Sequence, residues 1–261
     1  MSQDRGGLIM PEVRAAKTAE FRRTGIVAGI ERRMLLRGTL SLGAVSLLGG
    51  CDVSDSDAVQ KMLAAMSRWN DRVQAALFSP TRLAPVFDES QAVKDFRYNA
   101  YYPKQKAPVL NAADYRLELS GLIGDKRPWT VDQLHALPQQ SQVTRHVCVE
   151  GWSMIGKWTG TPFRTFLERV GADTTARYVG FTCADGYYEG LDMPTALHPQ
   201  TIMAFQLSDR VLPTEFGFPF KLRIPTKLGF KNPKWVTSIT VTNREPAGFW
   251  VDRGYNWFSG I

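Results

Sequence analysis

The sequence predicts an α+β fold in which mixed sheets are joined by short helices. From Tyr115 onward, segments in which apolar and polar residues alternate with period two are separated by short, capped helical patterns. The 261 residues are 44% hydrophobic, and 22 glycines and 15 prolines are scattered among them. A chain of this length and composition forms one sizeable core or two small ones, with many loops. No internal repeat is visible.

The first predicted element is an amphipathic helix in SDSDAVQKMLAAMSRWNDRVQAALF, residues 54–78. Asp57 is placed as its N-cap. Apolar residues recur at close to helical spacing, at Val59, Met62, Leu63, Met66, Val73 and Leu77. The pattern is more typical of a packing helix than of a cofactor-binding segment. Residues 79–113 are polar, proline-containing and weakly periodic, which predicts extended or irregular structure.

Strands and short helices alternate through the rest of the chain. YRLELSGL, from Tyr115, alternates as a strand, TVDQLHAL is a capped short helix, and SQVTRHVCV is a strand that ends near Cys148. In TPFRTFLERVG, Thr161 is predicted as the N-cap and Pro162 as the first helical residue. Four further strands are predicted in ARYVGFTC, TIMAFQL, FPFKLRI and KWVTSITVTN.

Residues 31–51, ERRMLLRGTLSLGAVSLLGGC, are predicted to be an export signal. Arg32 and Arg33 precede a mildly apolar stretch that is too short and too rich in Gly and Ser to span a bilayer. The arginines resemble the twin-arginine signal, which exports folded proteins, and LGGC resembles a lipobox whose Cys51 becomes the lipidated first residue. We therefore expect a periplasmic lipoprotein anchored to the inner membrane. A basic tail with a short hydrophobic helix is the alternative.

The predicted organisation has three parts: the signal with its lipobox at 1–51, an N-terminal helix and linker at 52–94, and the main domain at 95–261. Residues 1–50 hold 8 Lys and Arg against 4 Asp and Glu, which leaves 24 against 21 in the remainder. The formal charge of +7 for the whole chain therefore falls to +3 beyond the leader. Nucleic-acid-binding proteins usually carry a larger basic excess, so we expect no nucleic-acid partner.

Two cysteines, Cys148 and Cys183, remain in the main domain once Cys51 is assigned to the lipid anchor. In an oxidising compartment, a disulfide between them is the default expectation. A chain that folds before export can instead keep a free thiolate that is already bound to a ligand. In RHVCVEGW, Arg145 and His146 precede Cys148 and are expected to favour its thiolate.

Several other catalytic chemistries lack their motif in this sequence. There is no zinc-type CxxC or HExxH pattern, no P-loop, no GxGxxG and no GxSxG nucleophile elbow. The three histidines, His135, His146 and His198, are far apart. A hydrolase built on Cys148 and His146 is disfavoured, because no third group that would orient the histidine is evident.

Four segments carry a family resemblance: YNAYYP from Tyr98, CVEGWSMIGKWTG from Cys148, MPTALHPQTIMAF from Met193, and LPTEFGFPFKLRIPTKLGFKNPKWV from Leu212. In this order they resemble the sulfite-oxidase fold of molybdopterin-binding oxidoreductases, over roughly residues 95–245. More narrowly, they resemble the catalytic subunits of bacterial periplasmic methionine sulfoxide reductases. The resemblance implies an enzyme with a Mo-molybdopterin cofactor.

The resemblance also implies the residues of the site. Cys148 falls where the family's cysteine thiolate binds molybdenum beside the two dithiolene sulfurs, and a soft thiolate suits a redox-active metal. The segment from Lys221 to Lys234 is basic without an acidic residue, as a bound phosphate requires, although a solvated basic face is the alternative. Matching implies nine cofactor-binding residues: Asn99, Tyr102, Pro103, Cys148, Cys183, Lys221, Lys231, Asn232 and Lys234.

Three positions depart from the family pattern. Cys183 stands where the reductases have threonine, Phe216 where a polar residue is expected, and Lys221 where an arginine is expected. Lysine still binds phosphate, but as a point charge without the planar fork of arginine. These departures concern the substrate more than the cofactor.

The predicted function is oxygen-atom transfer at a cysteine-ligated molybdenum, in the direction of S-oxide or N-oxide reduction. Sulfite oxidation is the alternative, and it would need a cationic pocket beside the metal, for which Arg145 is the candidate. A metal-free, lipid-anchored binding protein that keeps the fold is a second alternative. The resemblance also implies a membrane-embedded b-type cytochrome as the electron partner.

Overall fold

Two β-sheets carry the fold of residues 56–261, the part of the chain that the computed structural model describes. The predicted export signal and Cys51 lie outside the described residues. One sheet combines a parallel strand pair with antiparallel pairs, and the helices that follow residue 77 are short. The predicted α+β class with mixed sheets is therefore confirmed.

The described residues contain four α-helices and nine strands. The helices are α1 Asp57–Leu77, α2 Val131–His135, α3 Phe163–Arg169 and α4 Met193–Ala196. The strands are β1 Glu118–Gly121, β2 Gln140–Val147, β3 Ser153–Pro162, β4 Tyr178–Cys183, β5 Tyr188–Asp192, β6 Ile202–Leu207, β7 Arg210–Val211, β8 Lys221–Arg223 and β9 Val236–Thr242. Short 3-10 helices between them include Glu89–Gln91, Lys104–Lys106 and Gly229–Lys231.

Helix α1 forms where the spacing of apolar residues predicts it. The Ser56 hydroxyl accepts a hydrogen bond from the Val59 amide at 3.4 Å, so Ser56 is the N-cap and the prediction of Asp57 is wrong. None of the residues of α1 is buried. The expectation of a packing helix is therefore also wrong. Within residues 56–261, no helix combines the length and the apolar character that a membrane crossing requires.

The four-stranded sheet has the order β1, β9, β4, β5. The central strand β9 pairs in parallel with β1 and antiparallel with β4. Alternate residues of β4 are buried, as expected for a strand with one face on a core. Tyr115, just before β1, donates its hydroxyl to the carbonyl of Val236 in β9 and so ties the two segments together.

The five-stranded sheet has the order β2, β3, β6, β7, and β8 pairs with β6. β3 and β5 lie outside the predicted strands, because the apolar residues of SMIGKWTGTP and YEGLD do not alternate. Since β3 continues through Thr161 and Pro162, α3 begins only at Phe163. The predicted cap is therefore wrong: Pro162 occupies the N-cap position, and no side chain caps the helix.

The main hydrophobic core joins both sheets to α2 and α3. Leu134 of α2 and Phe166 of α3 are fully buried in it, beside Val179 of β4 and Leu222 of β8. Burial of each such side chain contributes about 1.5 to 3 kcal/mol. A second, smaller core surrounds Trp158 of β3. Because Leu222 anchors β8 in the main core and β2 pairs along its whole length with β3, the loops that follow these two strands are held in place.

Residues 257–260 contact α1. The Asp71 carboxylate accepts hydrogen bonds from the amides of Trp257 and Phe258 at 3.1 and 2.8 Å, and Gln74 accepts one from Gly260 at 2.9 Å. Residues 64–261 form one compact unit. Within it, the C-terminal portion of α1 is held by polar contacts, and its apolar face is left free.

Candidate active site

The loop after β2 opens onto a cleft with a cavity volume of about 170 Å³. Cys148 is the first residue after β2, which confirms the predicted end of that strand, and it lies in the lining of the cleft. Four other segments contribute walls: residues 99–101, Asp185 with Tyr187, residues 229–234 except Lys231, and the C-terminal segment with Trp250 and Tyr255. The predicted residues Asn99, Cys148, Asn232 and Lys234 are thus brought together at one cleft.

Cys148 is a half-buried free thiol in a tight turn. Its amide donates to the Trp152 carbonyl at 2.9 Å, and its carbonyl accepts from the Gly151 amide at 3.1 Å. Gly151 has a φ of 87°, a conformation that favours glycine. Burial is the main cause that raises the pKa of the Cys148 thiol, and the Glu150 carboxylate raises it further. In the absence of a metal, the thiol therefore keeps its proton.

The expectation that Arg145 and His146 favour the thiolate is wrong. Neighbouring residues of a strand point to opposite faces, and the Arg145 guanidinium lies 5.0 Å from the centroid of the Phe87 ring, on an exposed face. His146 is buried. Burial first, and then the charges of three nearby cations, lower the pKa of His146 well below its ordinary value. The imidazole is therefore neutral and contributes no positive charge.

Two cations beside this histidine are fully buried without a carboxylate partner. The Lys221 ammonium has no hydrogen-bond partner within residues 56–261, and it lies 5.2 Å from the centroid of the Trp158 ring. Arg223 donates to the carbonyl of Arg145 at 2.6 Å, while its Nε makes no hydrogen bond to any described residue. Burial lowers the pKa of both groups. The positive charges of Lys234 and Arg223 lower the pKa of Lys221 further. Buried charges normally have partners.

Lys234 is a third cation of this group, and it lines the cleft itself. Its ammonium donates to the Asn99 carbonyl at 2.8 Å and lies between the rings of Tyr98 and Trp235, 4.8 and 4.3 Å from their centroids. Burial lowers the pKa of Lys234 to about 8. No ion pair joins Lys221, Arg223 or Lys234 to a carboxylate of the described chain.

The two asparagines have different environments. The Asn99 amide lies 3.3 Å from Nε2 of His146, and its buried Oδ1 has no partner among residues 56–261. Asn232 is fully engaged: its Oδ1 accepts from the Ile224 amide at 2.7 Å, and its Nδ2 donates to the Leu228 carbonyl at 3.1 Å. Asn99 is therefore free to contact a ligand, whereas Asn232 shapes the loop.

Glycine is required at position 229 of this loop. A Cβ at Gly229 would lie 2.6 Å from Nε2 of His146. That distance is shorter than van der Waals contact, so a larger residue would displace the buried imidazole. The loop can therefore pass close to the end of β2 only because residue 229 has no side chain.

Of the three predicted lysines, Lys234 lines the cleft and Lys221 and Lys231 do not. Lys231 instead faces a carboxylate. Its ammonium forms a buried ion pair with Glu189 at 2.5 Å and donates to the Gly190 carbonyl at 2.7 Å. Lys227 is also buried, 3.7 Å from the Asp192 carboxylate. The basic segment is thus divided between lysines that face carboxylates and cations that do not.

Tyr102, Pro103 and Cys183 lie outside the lining of the cleft. The Tyr102 hydroxyl donates to the Asp185 carboxylate at 2.8 Å, and Pro103 is exposed. Cys183 is a buried member of the main core, and both cysteines are free, so the disulfide expectation is wrong. Burial raises the pKa of the Cys183 thiol well above its usual value. Tyr101 lines the cleft where Tyr102 was expected.

Several site residues have no counterpart in the sequence-based set. Arg223 belongs to the basic segment, and its place on a buried strand between Leu222 and Ile224 is the signal that could have singled it out. Glu150 and Asp185 contribute carboxylates to the cleft, and an aromatic wall is formed by Tyr101, Tyr187, Phe230, Trp250 and Tyr255. Nothing local in the sequence connects these aromatic residues with Cys148.

This arrangement defines a class: a protein that binds an anionic cofactor, with a thiol at the same cleft. Buried cations normally have an anionic partner, and a cysteine thiolate is a soft ligand for metals. Within residues 56–261, no group of three or more His, Cys, Asp and Glu residues could hold a metal ion. A metal at Cys148 would therefore take its other ligands from the cofactor, as molybdenum does with the dithiolene of a pterin.

The chain belongs to the family of oxidoreductases with a molybdopterin binding domain, because the model of this domain matches residues 104–250. A putative protein-methionine-sulfoxide reductase subunit of Azospira oryzae, YedZ1, is 55% identical over 88% of this chain and 87% of its own length. The protein-methionine-sulfoxide reductase catalytic subunit MsrP of Burkholderia mallei is 30% identical, over 68% of this chain and 63% of its own.

A solved structure supports the fold. The sulfane dehydrogenase SoxCD of Paracoccus pantotrophus superposes with a TM-score of 0.50 at 19% identity, over 53% of this chain and 41% of that chain. The predicted sulfite-oxidase-type fold, the oxidoreductase class and the Mo-molybdopterin cofactor are therefore confirmed.

Proposed function

We propose that this enzyme reduces S-oxides of the methionine sulfoxide class, or N-oxides, in the periplasm, with Cys148 as the protein ligand of molybdenum. One observation carries the proposal: the free Cys148 thiol shares its cleft with Lys234, beside the buried and unpaired Lys221 and Arg223. The names of the relatives support reduction of a sulfoxide. Two electrons and two protons convert a sulfoxide into a thioether and water. When bound, the molybdenum cofactor supplies this oxygen-atom-transfer chemistry.

The residues of the chain bind and orient the cofactor. A metal displaces the proton of a coordinating thiol, so the raised pKa of Cys148 is no obstacle to ligation. Lys221, Arg223 and Lys234 are placed to bind the phosphate of the pterin through charge-assisted hydrogen bonds. Asn99 offers its unpartnered Oδ1 at the same cleft.

The charge of the cleft favours a neutral substrate over sulfite. Glu150 and Asp185 place two carboxylates in the lining against the one ammonium of Lys234, which the proposal assigns to the cofactor, so they repel a second anion. Arg145, the candidate for a sulfite-binding cation, lines a different groove. Tyr101, Trp250 and Tyr255 give the cleft an aromatic wall, which suits an apolar thioether side chain. We therefore place S-oxide reduction before sulfite oxidation.

Matched cysteine variants test the ligation. Cys148→Ala should abolish turnover and change the molybdenum spectrum, while pterin is retained through its phosphate contacts. Cys183→Ala should be much milder, because Cys183 lies in the core outside the cleft lining. Denatured protein, stripped of cofactor without reductant, should show two free thiols from Cys148 and Cys183. Equal losses in the two variants would contradict ligation by Cys148.

Substrate assays and metal analysis separate the alternatives. In molybdenum-loaded protein, oxidation of a reduced dye by methionine sulfoxide should exceed sulfite-dependent reduction of an acceptor. Turnover with sulfite alone would favour the sulfite oxidase. Protein purified from a host that makes molybdopterin should contain molybdenum. A metal-free product would favour the binding protein that keeps only the fold.

We also propose that electrons come from a membrane-embedded b-type cytochrome and that the chain is a lipoprotein of the inner membrane. The support is the family resemblance for the cytochrome, and Arg32, Arg33 and the LGGC motif for the location. Replacement of both arginines by Lys should leave precursor in the cytoplasm, and Cys51→Ala should remove the covalent anchor. Normal export of the arginine variant would exclude the twin-arginine route. In membranes whose b-type cytochrome has been reduced, the cytochrome should be reoxidised only when sulfoxide and this protein are both present.

A further inference from the structure

The outward face of α1 carries large apolar side chains that nothing in residues 64–261 covers. Met66, Trp69 and Leu77 are 58, 66 and 80% exposed. Steps of three and eight residues place them along one side of the helix. The opposite side is occupied by the contacts of Asp71 and Gln74 with the C-terminal residues. A protein surface in contact with water rarely exposes a row of large apolar side chains unless that row binds a partner.

This apolar surface continues beyond the end of the helix. Leu77 is also a wall of a neighbouring groove, whose other apolar side chains include Leu83 and Ile261. These two are 56 and 58% exposed. The groove contains two arginines as well, Arg82 and Arg145. The helix face and the groove therefore meet at Leu77 in one surface.

The charged side chains of this surface are basic. Arg72 lies three positions from Trp69, about one helical turn away on the same side of α1, and is exposed. The single acidic residue of α1 beyond position 63 is Asp71, and its carboxylate is engaged with two backbone amides. Together with the groove, the surface thus presents three arginines beside its apolar side chains: Arg72, Arg82 and Arg145.

We propose that this surface, formed by Met66, Trp69, Leu77, Leu83 and Ile261 with Arg72, Arg82 and Arg145, docks on the anionic surface of a lipid bilayer. Amphipathic helices with apolar and aromatic residues on one side and basic residues beside them lie in the membrane interface. Tryptophan is enriched at that level, and arginines are attracted by anionic headgroups. The proposal goes beyond the reductase function and needs no lipid on Cys51.

The sequence before α1 agrees with this occupant. Five residues separate Cys51 from Asp57. Even fully extended, they span at most about 20 Å. A lipid on Cys51 would therefore hold the start of α1 close to the bilayer, where a basic and apolar face has an anionic partner. The same closeness would not by itself bring a second copy of the chain to this face.

Vesicle binding of the full, cofactor-loaded chain tests the proposal. The chain carries Cys51→Ser, so that no acyl group contributes, and sedimentation is compared with phosphatidylcholine vesicles and with an equal mixture of phosphatidylcholine and phosphatidylglycerol. The variant Met66→Gln/Trp69→Gln/Leu77→Gln should lower the partition coefficient on the mixed vesicles at least about tenfold. Arg72→Gln/Arg82→Gln should lower it about tenfold, with little change on phosphatidylcholine alone.

A matched control introduces glutamine on the other side of α1. Ala64 and Ala75 are exposed and lie on the opposite side from the apolar row, so Ala64→Gln/Ala75→Gln should bind vesicles like the parent chain. Molybdenum content and dye-linked turnover should be the same in all variants, which separates failure of this proposal from failure of the reductase function. Unchanged binding by the triple glutamine variant would overturn the proposal. So would equal binding to both vesicle types, or concentration-dependent self-association through this face without vesicle binding.

Discussion

Two groups of buried cations in one basic segment have opposite surroundings. Lys231 is paired with Glu189 at 2.5 Å, and both side chains are fully buried. Lys221 and Arg223 are equally buried but have no carboxylate, and Lys221 has no hydrogen-bond partner at all within residues 56–261. Lys227, 3.7 Å from Asp192, is intermediate. The difference separates cations that have an anionic partner within the chain from cations that have none among the described residues.

The physical reason lies in the cost of burying a charge. A buried ion that has its partner approximately offsets its own desolvation, whereas a buried ion without one remains a cost to the folded state. On the proposed function, the anionic cofactor is the partner of Lys221 and Arg223, and their burial would make it bind more strongly than at a solvated surface. Pairing within the chain therefore predicts which lysines are structural and which bind a ligand better than proximity in sequence does.

Removal of one partner from the paired group should have the largest effect on stability. Lys231→Met leaves Glu189 buried without its cation, and should lower the free energy of unfolding of the cofactor-free protein by about 3 to 5 kcal/mol. Urea denaturation at neutral pH measures the change. Lys221→Met, in the same assay, should leave the stability unchanged or raise it, because it removes an uncompensated charge. Equal destabilisation by the two substitutions would break the comparison.

Loss of an unpaired cation should instead weaken cofactor retention. Lys221→Met removes one charge-assisted hydrogen bond, of about 1.5 to 3 kcal/mol, which corresponds to about 10- to 100-fold weaker binding of the pterin. Pterin fluorescence released from denatured protein, per mole of protein, gives the occupancy after dialysis. Lys221→Arg is the matched control and should retain the cofactor, since it keeps the charge. Full occupancy in Lys221→Met would show that this ammonium does not bind the cofactor.

The intermediate lysine should give the smallest effect, as a dependence of stability on pH. Burial lowers the pKa of Lys227 to about 7 in the folded protein, while Asp192 raises it and Lys231 lowers it further. Above pH 7 the folded state loses this proton while the unfolded state keeps it, so the free energy of unfolding rises with pH up to the unfolded pKa of about 10.4. Lys227→Met should lack this rise, which amounts to about 2 kcal/mol between pH 7 and 9. Parallel pH profiles for the two proteins would show that Lys227 stays charged.

Much of the fold follows from local sequence patterns. The alternation in SQVTRHVCV predicts β2 and the position of Cys148 at its end, and the capping box at Thr130 predicts α2. Local patterns do not predict β3, because apolar and polar residues do not alternate in SMIGKWTGTP. The strand forms because it pairs with both β2 and β6, which overrides local propensity. That strand also explains why the pattern at Thr161 and Pro162 suggested a helix cap that does not form.

The site was only partly accessible from the sequence. Cys148, Asn99 and Lys234 meet at the cleft as the family resemblance implies. Glu189, the partner of Lys231, lies 42 residues away in sequence. The basic segment alone therefore does not reveal that Lys231 is turned away from the cleft. The opposite orientations of Arg145 and His146, in contrast, follow from the period of two in a strand.

The contacts between α1 and the C-terminal residues have a consequence for the timing of synthesis. Asp71 and the amides that it accepts from are 186 and 187 residues apart. A ribosome that adds roughly 5 to 20 residues per second needs roughly 10 to 40 s to cover that interval. The helix therefore leaves the ribosome well before the residues that hold it have been made. In the interval its polar side chains have only water as a partner, and the contact forms when those residues follow.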